Sequence, residues 1–443
     1  MQKRLLTLLS LTLVLAPRAA ASGFQLREQS ASEQGNAFAG ASAGAQDISS
    51  MFWNPATLPL FTGTQVMLGA SWIRATMDLS GASGTRAPGF QPVDQPISGG
   101  PNLPNAVNQP VVPALYVDWG LNDQFSLGLS VNVPFGLVTD YPGDFVGRYY
   151  GLETSLKTYD IAPAVAWRPL ADWTFGVALV ARRAEATISE GVDFGAIGNA
   201  LGVPGFVPGK SDGTATLSGD AWAFGYKLGF TWTATPALRF GMGYQARTDI
   251  DVKGNISYSP VPAPLNASIT DSAAQAKLNL PACASAGFTY TLTPAFSLQG
   301  EVAWTGWSVF KELRVTFATG QPDDVTEENW KDTMFYSLGG IWKVNPRWAV
   351  KAGLAYDRSP VDNQTRTPRI PDSDRTWISA GVGWSPTNRT TVDFGFTQIF
   401  APKVSLDLES GNSQADPNYF RGNLEGTYKV GITIFALSAR YQF

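Results

Sequence analysis

The chain has 443 residues, 44% of them hydrophobic and 15% charged, with a formal net charge of −4. No basic footprint for nucleic acid exists at that balance. With no histidine, a Ser-His-Asp triad, a His general base and a His-ligated zinc site are all excluded, and the single cysteine, Cys283, excludes an intramolecular disulfide framework.

Soluble domains carry about 25% charged residues, so this chain is charge-poor. Lys3 and Arg4 precede an apolar stretch over residues 5–16 and the small residues Ala19-Ala20-Ala21. This is the layout of a secretory signal peptide over residues 1–21, too short for the roughly 17 to 25 apolar residues of a spanning helix. The mature chain is expected to begin near Ser22. Residues 22–63 do not alternate: Gly23-Phe24-Gln25-Leu26, a small-residue run over 35–44 and Asn54-Pro55-Ala56 predict compact irregular backbone. Such backbone cannot face lipid, because its N–H and C=O groups would go unpaired there, but it can sit inside a bore.

From residue 64 to residue 443 the pattern is strands. Phe125, Leu127, Leu129 and Val131 alternate with Ser126, Gly128, Ser130 and Asn132, and Trp348, Val350, Ala352, Leu354 and Tyr356 alternate with Ala349, Lys351, Gly353, Ala355 and Asp357. A charge facing lipid at mid-depth costs about 2 to 4 kcal/mol for Lys or Arg, so the apolar set faces lipid and Lys351 and Asp393 face inward. Turn residues such as Asn345-Pro346 and Pro386-Thr387-Asn388 punctuate the runs. The count is about fourteen strands, an even number that leaves both ends on the periplasmic side. Tyr149, Tyr150, Trp167, Trp173, Trp232, Trp330, Trp342, Trp348 and Trp384 near strand ends predict interfacial girdles. The last strand alternates from Phe435 through Leu437, Ala439 and Tyr441 to Phe443, and resembles the terminal strand of outer-membrane barrels. The expected fold is therefore all-β, a fourteen-stranded antiparallel transmembrane barrel over residues 64–443 plugged by residues 22–63.

Gly23-Phe24-Gln25-Leu26, Asn54-Pro55-Ala56, Gly147-Arg148-Tyr149, Asn279-Leu280-Pro281, Trp304-Thr305-Gly306-Trp307 and Ile370-Pro371-Asp372-Ser373-Asp374-Arg375 occur in an order that resembles the FadL family of outer-membrane transporters. The resemblance implies passive uptake of hydrophobic compounds through a barrel blocked by an N-terminal hatch bearing Asn54, Pro55 and Ala56. It implies release sideways through a kink in the third strand, here Val133-Pro134-Phe135-Gly136. Pro134 cannot donate to the ladder and Gly136 weakens pairing there. The third long loop carries Phe194, Ile197, Leu201, Val203, Phe206 and Val207, a density of apolar residues that points to ligand capture at the surface.

Long-chain fatty acids are the first expectation for cargo, with monoaromatic hydrocarbons as the alternative and a general aqueous porin behind both. Arg148, Arg182, Arg183, Lys351 and Arg375 are the candidate partners for a carboxylate, while Glu190 falls where fatty-acid carriers place a basic residue. No enzyme activity, metal or cofactor is expected. The expected partners are the apolar ligand, outer-membrane lipid and lipopolysaccharide, and the barrel-assembly machinery through Phe443, with the chain a monomer.

Overall fold

A computed structural model describes residues 23–90, 92 and 94–443; the signal peptide expected over residues 1–21, and Ser22, lie outside the described residues. Twenty strand segments, twelve of them joined in pairs across a bend or bulge, make fourteen barrel strands. In chain order these are β1 (Thr64–Thr85), β2 (Val111–Gly120), β3 (Phe125–Asn132 and Gly136–Asp140), β4 (Glu153–Leu170), β5 (Trp173–Asp193), β6 (Asp212–Thr235) and β7 (Leu238–Gln245 and Thr248–Ser259). The second half continues with β8 (Ser272–Leu280 and Cys283–Thr293), β9 (Phe296–Thr305 and Glu312–Phe317), β10 (Asp324–Glu327 and Thr333–Asn345), β11 (Trp348–Asp357), β12 (Arg375–Trp384), β13 (Thr390–Phe400 and Val404–Leu408) and β14 (Asn423–Gln442). Each strand is antiparallel to the next, and β14 returns to β1 from Gln65↔Gln442 to Thr85↔Asn423, which closes the sheet.

Closure leaves no lipid-facing edge, so every residue on the outer face must suit hydrocarbon. On β4 the outward residues run Trp167, Val165, Pro163, Ile161 and Tyr159, while Ala166, Ala164, Ala162 and Asp160 between them are buried. Lys351 and Asp393 do face inward, paired at 2.7 Å. At the turn end of the barrel Trp173 lies 6.0 Å from Trp232 and Trp348 5.9 Å from Trp384, ring centre to ring centre, with Trp167 and Trp342 exposed beside them. This is a girdle. Tyr149, Tyr150 and Trp330 are corrections to it, because all three are buried in the interior. They sit on loop segments outside the lipid-facing runs, where position in the sequence no longer fixes the direction of a side chain.

The bore holds residues 23–62 as a helix, α1 (Ala31–Gln34), and three 3₁₀ turns at Ala41–Ala43, Ile48–Phe52 and Pro55–Leu60. Ser30 caps α1 and Asn54 caps the last turn through the Ala56 N–H, with Pro55 at the first helical position. Asn54 also reaches the wall: its Nδ2 donates to the Ser42 carbonyl at 2.6 Å and to the Phe230 carbonyl of β6 at 2.9 Å. Gly176 and Gly229 let the wall come this close. A Cβ at Gly229 would stand 2.0 Å from Asn54 Oδ1, and one at Gly176 2.3 Å from the Ala56 nitrogen.

Candidate functional site

The sheet is interrupted where β2 meets β3. β2 pairs with β1 along its whole length up to Val111, but with β3 only from Leu115↔Val131 to Gly120↔Ser126. Beyond Asn132 the chain turns inward, and pairing resumes at Gly136↔Lys157 with β4, while on its other side β3 meets only the segment before β2, through a Val107↔Thr139 bridge and the Asp140 N–H on the Ala106 carbonyl at 2.9 Å. Pro110, Pro113 and Pro134 carry no N–H to donate across this stretch.

The N-terminal segment satisfies the backbone groups so released, as buried polar groups require. Leu26 N–H donates to the Pro134 carbonyl at 2.8 Å and Gly136 N–H to the Phe24 carbonyl at 3.0 Å. Gln29 Nε2 donates to the Val133 carbonyl at 2.7 Å, its Oε1 accepts from Val133 N–H at 3.3 Å, and Phe135 N–H donates to Thr158 Oγ1 at 3.0 Å.

A cavity of about 490 Å³ fills the interruption, from Phe24, Arg375 and Ile399 in the bore to Val111 and Tyr159 at the outer surface; Val133 and Gly136 line it between. Its inner end is lined by Phe24, Leu26, Glu28 and Arg375, with further aromatic rings behind Phe24. Phe24 packs against Trp307 at 4.6 Å, Trp330 at 5.6 Å, Phe310 at 5.9 Å and Phe135 at 6.0 Å between ring centres. Gly23 sets Phe24 in place: its φ is +63°, a Cβ would meet the Trp330 ring at 2.6 Å, and its N–H donates to Asp372 Oδ2 at 3.0 Å. Gln25 donates to Cys283 Sγ at 3.2 Å and accepts from Thr305 at 3.1 Å. Sequence motifs far apart in the chain, those around Leu280, Trp307 and Ile370, thus converge on Phe24.

The five basic residues singled out as carboxylate partners scatter. Arg375 alone lines the cavity, bound to Asp372 at 2.8 Å. Arg182 is buried in the bore, donating from Nε and Nη2 to Asp160 at 2.6 and 2.7 Å and from Nη1 to Thr248 Oγ1 at 3.4 Å, and its guanidinium lies 5.0 Å from the Phe135 ring. Arg148 pairs with Asp212 at 2.8 Å beneath the outer loops, Arg183 lies on the outer face with Glu185 at 3.1 Å, and Lys351 belongs to the opposite wall. Glu190 leaves no bare negative charge, since Arg369 holds it at 2.8 Å and Arg421 at 3.5 Å. That cluster drew no notice in the sequence, because its members come from three distant loops and strand ends.

The loop after β5 opens with a helix, α2 (Phe194–Ala200), capped by Asp193, which also pairs with Arg86. Phe194 is a correction to the expected capture surface: it is fully buried against Gly213. Leu201 and Val207 are exposed, while Ile197, Val203 and Phe206 are half-buried, with Phe206 packed on Gly198.

In the loop before the main part of β10, Trp330 Nε1–H donates to Glu328 Oε2 at 2.7 Å, and burial pushes the Glu328 carboxyl up to about 8. The folded state therefore holds this proton more tightly than the unfolded chain does. Its stabilising share is complete below the ordinary value of 4.5 and is lost as pH rises through about 8. Hydrogen exchange in this loop, corrected for the intrinsic rate, is expected to speed up between about pH 4.5 and about pH 8 and to level off above that. In Glu328→Gln the dependence should vanish; an unchanged profile would show that another group titrates.

Residues 12–443 match the family described as outer membrane protein transport protein (OMPP1/FadL/TodX). The chain belongs to that family. The long-chain fatty acid transport protein of Escherichia coli K12 is 28% identical over 433 residues, covering 92% of this chain and 94% of the relative. Outer membrane protein P1 of Haemophilus influenzae is 27% identical over 467 residues, covering 99% of each. The crystal structure of a Pseudomonas aeruginosa FadL homologue superposes with a TM-score of 0.84 at 24% identity over 95% of this chain and 100% of that one. The Pseudomonas putida toluene transporter TodX gives 0.69 at 16%, over 95% and 100%. As a FadL-family barrel the chain is an outer-membrane transport protein of a Gram-negative bacterium, not an enzyme.

Proposed function

We propose that this FadL-family barrel takes up hydrophobic compounds passively, with long-chain fatty acids as the first class, and releases them sideways into the bilayer between β2 and β3. The opening is bounded by Val133, Pro134, Phe135 and Gly136, and residues 22–63 act as the hatch, anchored by Asn54, Pro55 and Ala56. One observation carries this reading: the 490 Å³ cavity runs from the aromatic cluster around Phe24 to lipid-facing Tyr159 without crossing a paired stretch of wall. Leu201 and Val207, exposed on the outer loop, supply the first apolar contact.

Arg375 at the inner end gives a carboxylate something to approach, and this favours fatty acids over monoaromatic hydrocarbons. Relatives named as long-chain fatty acid transport proteins support the same choice. The barrel is a monomer in contact with lipopolysaccharide, and its terminal Phe443 addresses it to the assembly machinery. Purified protein offered a matched panel of long-chain fatty acids and alkylbenzenes is expected to bind the acids at least tenfold more tightly. Preference for the alkylbenzenes would replace this reading with the aromatic one.

A further inference from the structure

The wall cavity has a cation at each end, and the two differ in how they are partnered. At the inner end Arg375 is half-buried and held by Asp372 at 2.8 Å. At the outer end Lys157 of β4 lines the same cavity, is exposed, and among the described residues makes no ion pair or side-chain hydrogen bond. Its ladder neighbour on the cavity side is Gly136, which has no side chain to cover it. Its neighbour on the other side is Glu185, already in contact with Arg183 at 3.1 Å; Asp220 lies beyond, 3.6 Å from the same arginine. Lys157 thus stands between the opening and a shallow outer pocket that it shares with Arg183, Glu185 and Asp220, whose acids Arg183 already engages.

Its height matters as much as its direction. Lys157 follows Trp167, Val165, Pro163, Ile161 and Tyr159 on the outward face, ten residues up the strand from the lower girdle. At about 3.3 Å per residue and a tilt near 40° that is a rise of roughly 25 Å, the thickness of the apolar band. A lysine there reaches the headgroup layer while its stem lies along the wall.

We propose that Lys157 receives the carboxylate of a departing fatty acid, so that cargo enters the outer leaflet with its head at Lys157 and its chain descending past Tyr159 and Val111. This rests on the fatty-acid reading above and adds a specificity residue to it. An uncharged chain of the same length gains nothing from Lys157, so the lysine separates acids from neutral compounds at the exit.

The test measures entry of an 18-carbon acid and of the 18-carbon alcohol into bacterial cells that lack a carrier of their own and express this barrel. Lys157→Met is expected to lower the ratio of acid to alcohol entry about fivefold, the effect of one charge-assisted contact near a surface, and Lys157→Arg to restore it. Equal loss of both compounds, as a lipid-phosphate anchor or a folding defect would give, overturns the assignment, and so does an unchanged ratio. Parent protein that admits neither compound overturns the fatty-acid reading itself, and this inference with it.

Discussion

Asn54→Ala should turn a closed barrel into a conducting one. The substitution strips the Ser42 and Phe230 carbonyls and the Ala56 N–H of their partner at a fully buried site. Each buried group left unpaired costs about 1 to 3 kcal/mol, the capped Ala56 N–H among them. Such a sum rivals the stability of a small segment that folds only against the wall. Single-channel conductance in planar bilayers is expected to rise at least tenfold, with heat-modifiable migration of the barrel unchanged. Gly229→Ala tests the same lock from the wall side, since the new methyl group would stand on Asn54 Oδ1. Conductance at the parent level in both variants would mean that the segment is held elsewhere.

Filling the interruption should stop uptake without unplugging the bore. Val133 and Val138 both line the cavity, and neither pairs with β2. In the double variant Val133→Trp, Val138→Trp, two indoles occupy space that an alkyl chain must cross, and entry of a long-chain acid is expected to fall at least tenfold. Val350→Trp on β11 is the control: it is lipid-facing and far from the break, and should leave entry unchanged. Undiminished entry into the filled variant, with the barrel folded, would send the cargo down the bore instead.

The barrel was legible because lipid and bore impose opposite demands on successive residues. Phe125 to Asn132 and Trp348 to Asp357 follow that rule. The break in β3 was legible too, since Pro134 has a local chemical consequence. What fills the break was not: Gln29 meets Val133 across 104 positions of sequence, and Phe24 meets Trp307 across still more. Tyr149, Tyr150, Trp330 and Phe194 were misplaced for a related reason. They lie on loops folded over the bore, where an aromatic ring is as well served by the interior as by an interface.

The way β3 is braced from within bears on how fast anything passes. The backbone groups of Val133, of Gly136 and of Pro134 that no neighbouring strand takes are met by Gln29, Leu26 and Phe24. On the proposed exit route no ladder bond between β2 and β3 has to break, because their pairing is already interrupted in the resting molecule. Passage then needs no activated parting of strands, and its rate should vary with temperature only as steeply as diffusion of the cargo through the surrounding lipid.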